Sequence, residues 1–275
     1  MVDRLTALFE HFSLNASSFH IGAMCGHTAF EAPVSGQLHL IRSGTLEVWH
    51  GSINAYVIDE PSLLFYPKLK QRHFVSDTES GAELLCANVL FEGDKANPIV
   101  NSLPDCLCFP LSSLPLCEHV LSLLFLEADE CKCGHQVVLD RLFEILLVQL
   151  LRELMEQGEI QMGMLAGLAD QRLRKALVAV HDRPNELWCV QSLAEQAHMS
   201  RTPFAKLFKQ KLGVTPIKYL QHWRIGLVKK WLKQGLSITL IAEDAGYKSE
   251  SALSRAFKVE CGLSPREWLI KEKAD

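Results

Sequence analysis

The chain of 275 residues is long enough for two domains, and its 48% hydrophobic and 22% charged residues are typical of globular proteins. Its apolar stretches fall short of the roughly 20 residues that cross a bilayer, because Glu144, Gln149 and Arg152 interrupt the strongest run. The N-terminus carries Asp3 and Glu10 and lacks the apolar segment of a signal peptide. These features predict a cytoplasmic protein without a membrane partner, in which the nine cysteines are reduced thiols.

The net charge of −4 is unevenly distributed. Residues 1–169 contain 9 Lys and Arg against 21 Asp and Glu, a net of −12, whereas residues 170–275 contain 19 against 11, a net of +8. A basic part joined to an acidic part indicates that only the C-terminal part meets a polyanion. Ordinary charge scatter is the alternative, and the pattern of the C-terminal helices decides between the two.

Residues 20–110 have the pattern of short strands. Apolar runs alternate with turn residues roughly every 7 to 15 positions, which is typical of a small antiparallel barrel or sandwich. The clearest predicted strands are residues 36–44, 45–49, 62–66 and 82–91.

Residues 112–157 are predicted to be helical, with two adjacent apolar strips. The first strip is Leu139, Phe143, Leu146, Leu150 and Leu154, and the second is Val148, Leu151 and Met155. Two strips indicate a second contact surface, such as the other subunit of a homodimer, and burial within the helix's own domain explains them equally well. Gly158, Gly163 and Gly167 then interrupt the pattern and predict a flexible connection at residues 157–168.

The C-terminal part contains a duplicated pattern. LAEQAHM at 193–199, SRTPFAKLFK at 200–209 and GVTP at 213–216 recur as IAEDAGY at 241–247, SESALSRAFK at 249–258 and GLSP at 262–265. The offset changes from 48 to 49 residues, so one extra residue lies near Lys248. Each copy is predicted to form a helix, a tight turn and a second helix, with Ser200 and Ser249 as N-caps and Gly213 and Gly262 at the C-terminal ends.

The second helix of each copy is predicted to have one apolar face and one polar, cationic face. The apolar residues are Phe204, Leu207, Phe208 and Leu212 in the first copy, and Leu253, Ala256, Phe257 and Cys261 in the second. The polar faces are Arg201, Thr202, Ala205, Lys206 and Lys209, and Glu250, Ser251, Ser254, Arg255 and Lys258. Short polar residues beside a long cation suit a helix in the DNA major groove, where arginine contacts guanine and lysine contacts phosphate.

Any solvated helix can carry such residues, but two copies in register on a basic domain favour double-stranded DNA as the partner. Residues 217–234, between the copies, are predicted to form a stiff helix that holds the two reading helices apart. One chain would then read two adjacent grooves.

These residues resemble the AraC/XylS family of bacterial transcriptional regulators, most specifically over residues 168–268. The resemblance implies a C-terminal all-α domain of seven helices with two helix-turn-helix motifs. It places base-reading positions at Thr202, Ala205 and Lys206, and at Ser251, Ser254 and Arg255. It also implies an activator that contacts RNA polymerase. Cys189 stands where the second copy has Ser237, which predicts a weak cap at the start of the first motif.

The segments GQLHLIRSG, PSLLFYPKLKQRHF and ELLCANVLFEG resemble the cupin-type sensor domain of one subgroup of that family. The implied fold is α+β: a cupin-like β-barrel with flanking helices at residues 1–110, a helical dimerisation or linker region at 111–167, and the DNA-binding domain at 168–275. Cupin barrels often hold a metal through histidines and a glutamate, and His39 and His73 are the nearest counterparts here. Residues 60–62, Glu-Pro-Ser, replace the usual Gly-Asp, which argues against a conventional cupin metal site.

Cysteines provide candidates for the signal. Members of the subgroup resemble oxidant-responsive switches, and Cys86 matches such a cysteine, with Cys25 earlier in the chain; a buried apolar role also explains Cys86. No cofactor is expected to be required, but thiolates and imidazoles of a second cluster suit Zn²⁺ or Cu⁺. The members of that cluster are Cys106, Cys108, Cys117, Cys131, Cys133 and His135.

Three classes of protein fit this combination. The first is a transcription factor controlled by a small signal, either an oxidant or a small-molecule or metal ligand in the barrel. The second is a cupin-type metal enzyme with an accessory domain, and the third is a constitutive DNA-binding protein. The sequence lacks G-x-S-x-G, P-loop and H-E-x-x-H motifs, so we expect a regulator and no enzyme.

Overall fold

The computed structural model describes residues 3–28, 36–68, 70–92, 97–130 and 132–272. The chain divides into two compact units: Ser13–Lys95 with Ile99–Glu159, and Met1–Phe12 with Ala96–Pro98 and Ile160–Asp275. We call them the sheet unit and the helical unit. Every helix within the described residues is too short or too polar to span a membrane.

The sheet unit contains two antiparallel sheets with a shared apolar interior. Its strands are β1 Leu14–Met24, β2 Gly26–Thr28, β3 Gly36–Gly44, β4 Leu46–His50, β5 Ile53–Ile58, β6 Ser62–Tyr66, β7 His73–Ser76, β8 Ala82–Phe91 and β9 Leu107–Pro110. One sheet has the order β1-β8-β3-β6-β9 and the other the order β2-β7-β4-β5. The described strands therefore form a two-sheet sandwich rather than the closed barrel that we predicted, because no ladder between them joins the two sheets.

The alternation of apolar and turn residues located the strands well. The predicted strands 36–44, 62–66 and 82–91 are confirmed as β3, β6 and β8, and the predicted strand 45–49 appears one residue later as β4. Side chains from both sheets, including Leu64, Phe74 and Cys86, form one buried cluster between them. The interior of the sandwich is thus the core of the sheet unit.

Within the described residues, three α-helices complete the central part of the chain: α2 Pro98–Ser102, α3 Glu118–Glu130 and α4 His135–Gln157. Helix α4 packs along β1, where the Ser18 amide and hydroxyl both donate to Asp140 at 2.8 Å. The first predicted apolar strip of α4 is fully buried. Leu151 and Met155 of the second strip are also buried and Val148 is half-buried, so most of this strip is covered within its own chain.

The helical unit contains nine helices within the described residues. They are α1 Thr6–His11, α5 Met164–Ala169, α6 Arg174–Asp182, α7 Val190–Gln196, α8 Arg201–Leu212, α9 Pro216–Lys233, α10 Ile238–Asp244, α11 Glu250–Cys261 and α12 Pro265–Glu272. Gly158 ends α4 in the left-handed conformation, which is common for a glycine at the C-terminal end of a helix. The predicted flexible connection that follows instead contains the buried helix α5, in which Gly167 lies close to Leu177 and Leu212.

The start of the chain belongs to the helical unit. The Phe12 ring meets Trp223 of α9 edge to face, with ring centroids 5.4 Å apart. A Cβ at Gly226 would lie only 3.3 Å from Phe12 Cζ, so this glycine makes room for the ring. Lys230 Nζ donates to the carbonyl oxygens of the last two residues of α1 at 2.9 and 3.0 Å, at the end of a helix that favours a cation. The first helix is therefore fixed to a helix more than 200 residues away in sequence.

Candidate nucleic-acid interface

The two predicted motifs have the same construction in the structure. Helices α7 and α10 have 7 residues each, and helices α8 and α11 have 12 residues each. Each turn opens with the same backbone hydrogen bond, from Met199 N to Ala194 O at 2.9 Å and from Tyr247 N to Ala242 O at 2.8 Å. The extra residue near Lys248 lies in the second turn, as predicted.

The ends of the second helices are close to the prediction. Ser249 caps α11, its hydroxyl accepting from Ala252 N at 3.2 Å. Ser200 occupies the N-cap position of α8, but its side chain makes no capping hydrogen bond, so that part of the prediction is wrong. Gly213 and Gly262 end α8 and α11 with φ of 78° and 74°, a conformation that glycine adopts without strain.

The first helix of the first motif is capped, although Cys189 replaces the serine found in the second motif. Cys189 Sγ accepts from Ser192 N at 3.4 Å, and Ser192 Oγ accepts from Cys189 N at 3.0 Å. Sulfur is a weak acceptor, but the serine side chain satisfies a second backbone group. The prediction of a weak cap considered Cys189 alone and overlooked this reciprocal partner.

The apolar faces of α8 and α11 point into the helical unit. Phe204, Phe208, Leu253 and Phe257 are at most 1% exposed. Leu207, Ala256 and Cys261 are half-buried at the edges of these faces. The connecting helix α9 supports both motifs, because it packs against α7 and α8 of the first and against α10 and α11 of the second. The inward half of the predicted arrangement is confirmed.

The opposite faces are open to solvent. Eight of the ten residues predicted to contact DNA are exposed, and Ala205 and Ser254 are half-buried. The exposed residues are Arg201, Thr202, Lys206, Lys209, Glu250, Ser251, Arg255 and Lys258. Within the described part of the chain, none of the five cations on these faces forms an ion pair, so their charges are available to a polyanion. Glu250 differs, because its carboxylate accepts from the Thr239 hydroxyl of α10.

The two redox candidates lie apart in the sheet unit. Cys86 of β8 pairs with His20 of β1, whereas Met24, which precedes Cys25, pairs with Ala82. Four residues of strand separate these positions, which corresponds to about 13 Å. A disulfide requires Cα atoms closer than about 7 Å, so the structure does not bring Cys25 and Cys86 within bonding distance.

The environments of these two thiols differ as well. Cys25 is exposed, and its Sγ lies 2.8 Å from the position that a Cβ at Gly81 would take. Cys86 is fully buried, 3.1 Å from His39 Nδ1, and burial raises the pKa of its thiol far above the ordinary value. Cys86 is therefore a protonated thiol, and Cys25 is the accessible one of the two.

The candidate metal ligands are distributed over several places. Cys106 and Cys108 pack against the sandwich interior, Cys117 is buried before α3, and Cys133 is exposed before α4. His135 Nδ1 lies 2.9 Å from the carbonyl oxygen of Glu127, and Cys131 lies outside the described residues. Burial, with the nearby Glu153 carboxylate, raises the pKa of Cys117 to about 12. In the parts of the chain that the structure describes, no three His, Cys, Asp or Glu side chains form a group that could hold a metal.

Comparison with known proteins covers both units. A family described as Cupin matches residues 3–156, and one described as Helix-turn-helix domain matches residues 193–270. An uncharacterized HTH-type transcriptional regulator of Haemophilus influenzae is 32% identical over 212 residues, which is 76% of this chain and 70% of the relative. The HTH-type transcriptional regulator AlkR of Acinetobacter baylyi is 28% identical and aligns with 97% of this chain and 99% of its own. RclR of Escherichia coli, an RCS-specific HTH-type transcriptional activator, is 36% identical over 118 residues, 42% of each chain.

Proposed function

Because the chain belongs to the AraC-like family of HTH-type transcriptional regulators, with a cupin-type N-terminal domain, we propose that α8 and α11 read two adjacent major grooves of one promoter. The relatives are regulators rather than enzymes, as expected from the sequence. The observation that carries the proposal is the pair of matching helices, each with a buried apolar face and a polar face of unpaired cations. We further propose that the sheet unit receives the signal.

Position within each helix assigns the roles on these faces. Lys206 and Arg255 are each one turn after a small hydroxyl residue, Thr202 or Ser251, so cation and hydroxyl share one helix face. Such a pair suits base edges, with the cation on guanine and the hydroxyl on a neighbouring base. Lys209 and Lys258 are in the last turn of their helices and suit phosphates.

Selection of DNA fragments by the full-length protein tests this proposal. We expect the enriched site to contain two short motifs on one face of the duplex, about 10–10.5 base pairs apart. Lys206→Ala should relax sequence preference in one motif only and Arg255→Ala in the other. Enrichment of one motif that responds equally to both variants would contradict two independent reading helices.

Oxidation of thiols is one candidate signal, supported by the resemblance to the oxidant-responsive subgroup. Cys25 should react first with the thiol oxidant diamide, because it is exposed while Cys86 is buried and protonated. DNA binding with and without diamide, in Cys25→Ser, Cys86→Ser and the exposed control Cys133→Ser, tests this order. Cys25→Ser and Cys86→Ser should each blunt the response, and Cys133→Ser should respond as the native protein does. A full response in Cys86→Ser would remove Cys86 from the mechanism, and a full response in Cys25→Ser would remove Cys25.

We propose that the protein is a homodimer. The proposed interface is not the second apolar strip of α4. Helices α3 and α4 expose other apolar side chains, namely Leu123, Leu126, Val138 and Ile145. Light scattering of the full-length protein should give a dimer mass, and Ile145→Glu should give the monomer, with Arg152→Glu as a control. An unchanged mass for Ile145→Glu would place the interface elsewhere.

The remaining proposals follow from the family. We propose that the protein is an activator that contacts RNA polymerase. We also propose that it is cytoplasmic, because bacterial promoter DNA is in the cytoplasm. Transcription in vitro from the selected site, with purified polymerase, tests the first: the full-length protein should raise transcript yield. An equal yield without the protein would contradict activation.

A further inference from the structure

One end of the sandwich interior contains a group of polar residues that the DNA-binding function does not use. We call it the cation cluster: Gln37, His39, His50, Tyr66 and Arg72. Gln37 of β3 pairs with Tyr66 of β6, His50 ends β4, and Arg72 immediately precedes β7, so both sheets contribute. His50 Nε2 lies 2.8 Å from the Tyr66 hydroxyl.

Arg72 is the centre of this cluster and is only 5% exposed. Its Nη1 donates to the carbonyl oxygen of Lys70 at 2.8 Å, and its Nη2 donates to Gln37 Oε1 and lies 3.3 Å from His39 Nε2. The guanidinium carbon lies 4.1 Å from the centre of the Tyr66 ring. Its Nε is buried without a hydrogen-bond partner. Every contact is with a neutral group, and one donor of the fork is unused.

The cluster has positive charge but no carboxylate. Within the described residues, Arg72 has no ion pair, whereas Arg42 of the same unit lies 2.6 Å from Asp129 and 3.4 Å from Glu83. Lys70 adds a second cation near the cluster. Burial lowers the pKa of His50, and the charges of Lys70 and Arg72 lower it further. A buried cation without an anion is costly, and proteins normally pair it.

Among the described residues, neighbouring groups do not supply the missing anion. Cys86 and Cys106 are the two thiols close enough to act electrostatically on Arg72. Burial raises the pKa of both, so they stay protonated. His39, the counterpart of a cupin metal ligand, is held neutral by burial and by the Arg72 charge, which lower its pKa well below the ordinary value. The guanidinium also opposes a metal ion beside His39. The interior is thus suited to an anion that comes from outside the protein.

We propose that the sheet unit binds a small carboxylate, whose carboxylate group pairs with Arg72 in the cation cluster. The planar guanidinium fork matches a carboxylate geometrically, with Nε as one of its donors. Tyr66 belongs to the same apolar cluster as Phe74 and Leu64, so an apolar part of the ligand would meet apolar side chains beside Arg72. The inference deepens the proposed function, because it gives the chemical class of a signal that the sheet unit receives.

A variant that carries its own carboxylate tests the inference without any ligand. Gln37→Glu places a carboxylate where Arg72 Nη2 now donates to an amide. We expect the melting temperature of the sheet unit to rise by about 2–4 °C, the shift typical of one new favourable interaction in a domain of this size. In an Arg72→Gln background the same change should lower the melting temperature, because the new carboxylate is then buried alone. An equal change in melting temperature in the native and Arg72→Gln backgrounds would overturn the inference, because this comparison cancels the loss of the hydrogen bond from Gln37 Nε2 to Asn88 Oδ1.

Binding is tested on the full-length protein with acetate, benzoate and octanoate against chloride at constant ionic strength. Trp49 is the reporter, since it stacks on His73 beside Arg72 with centroids 6.0 Å apart, and the other four tryptophans follow residue 160. We expect a saturable fluorescence change with at least one acid, absent in Trp49→Phe and reduced at least tenfold in affinity in Arg72→Gln. The surface variant Arg141→Gln should respond as the native protein does.

No saturable response to any of the three acids, or an equal response in Arg72→Gln, would overturn the inference. Failure here is distinguishable from failure of the proposed function. The DNA-selection experiment does not involve Arg72, and carboxylate binding does not require DNA.

Discussion

His198 and Gly246 occupy the same position in the turns of the two helix-turn-helix motifs, and both have left-handed backbone, with φ of 52° and 74°. His198 is the one residue other than glycine with positive φ in the described part of the chain. The turn geometry therefore requires this conformation, and the two copies meet the requirement with different residues.

Gly246→Ala should destabilise the helical unit by at least about 2 kcal/mol, because left-handed backbone alone costs an alanine about 1–2 kcal/mol. The added Cβ would also lie 2.7 Å from Asn185 Cα and 2.7 Å from Arg224 Nη2. His198→Gly should change stability by less than about 1 kcal/mol, since relief of strain and loss of backbone entropy oppose each other. Urea unfolding measures both, and a mild effect of Gly246→Ala would show that the turn can relax.

Lys206→Ala and Arg255→Ala should each weaken binding to the selected site by about 1–3 kcal/mol, if the residue reads a base. Binding to random DNA should change much less, because the phosphate contacts persist. Lys233→Ala is the matched control, since the Lys233 ammonium already pairs with Glu272. Equal losses on selected and random DNA would reassign the residue to the DNA backbone.

Phe12→Ala should destabilise the helical unit by about 3 kcal/mol, the usual cost of removing a buried phenylalanine ring. The ring is 6% exposed and packs on Trp223 beside Gly226. Phe19→Ala, at a position 38% exposed in β1, should cost much less. Thermal unfolding followed by near-ultraviolet circular dichroism reports mainly on this unit, because four of the five tryptophans belong to it. Equal effects of the two variants would show that the start of the chain is not docked.

Stability of the helical unit should decrease as the pH falls below 6.5, and His181 should be a main cause. His181 is fully buried, its Nε2 lies 2.7 Å from the Tyr219 hydroxyl, and burial, with the nearby His11, lowers its pKa from 6.5 to about 3. Between these two values the unfolded chain binds the extra proton, so the contribution is complete above pH 6.5 and is lost as the pH falls towards 3. At pH 5 the loss should be about 2 kcal/mol. Unfolding at pH 7 and pH 5 should show a smaller difference for His181→Phe than for the native protein; equal differences would exclude His181.

The elements that could be predicted from the sequence are those that depend on a local residue pattern. Strands β3, β6 and β8 have alternating or continuous apolar runs bounded by turn residues, and α8 and α11 repeat at helical spacing, so neighbouring residues suffice. Docking of Phe12 on Trp223 joins distant positions and leaves no periodic signal. The separation of Cys25 and Cys86 depends on the register of β1 against β8, which composition does not specify.

The burial of Arg72 could not be predicted from the sequence either. An arginine between Gln71 and His73 in a turn-rich segment is expected at the surface, and nothing nearby marks it as interior. The cation cluster forms only when two sheets close over it. A buried cation of this kind is recognised by the absence of an anionic partner, which only the three-dimensional structure shows.

The attachment of the first twelve residues to α9 affects synthesis as well as stability. A ribosome releases the start of the chain long before it makes Trp223 and Lys230, so Leu5, Leu8 and Phe12 remain without their apolar partners during most of translation. The sheet unit, whose residues are contiguous apart from three positions, can fold first on the emerging chain. The helical unit is then completed last, after α9 has been made.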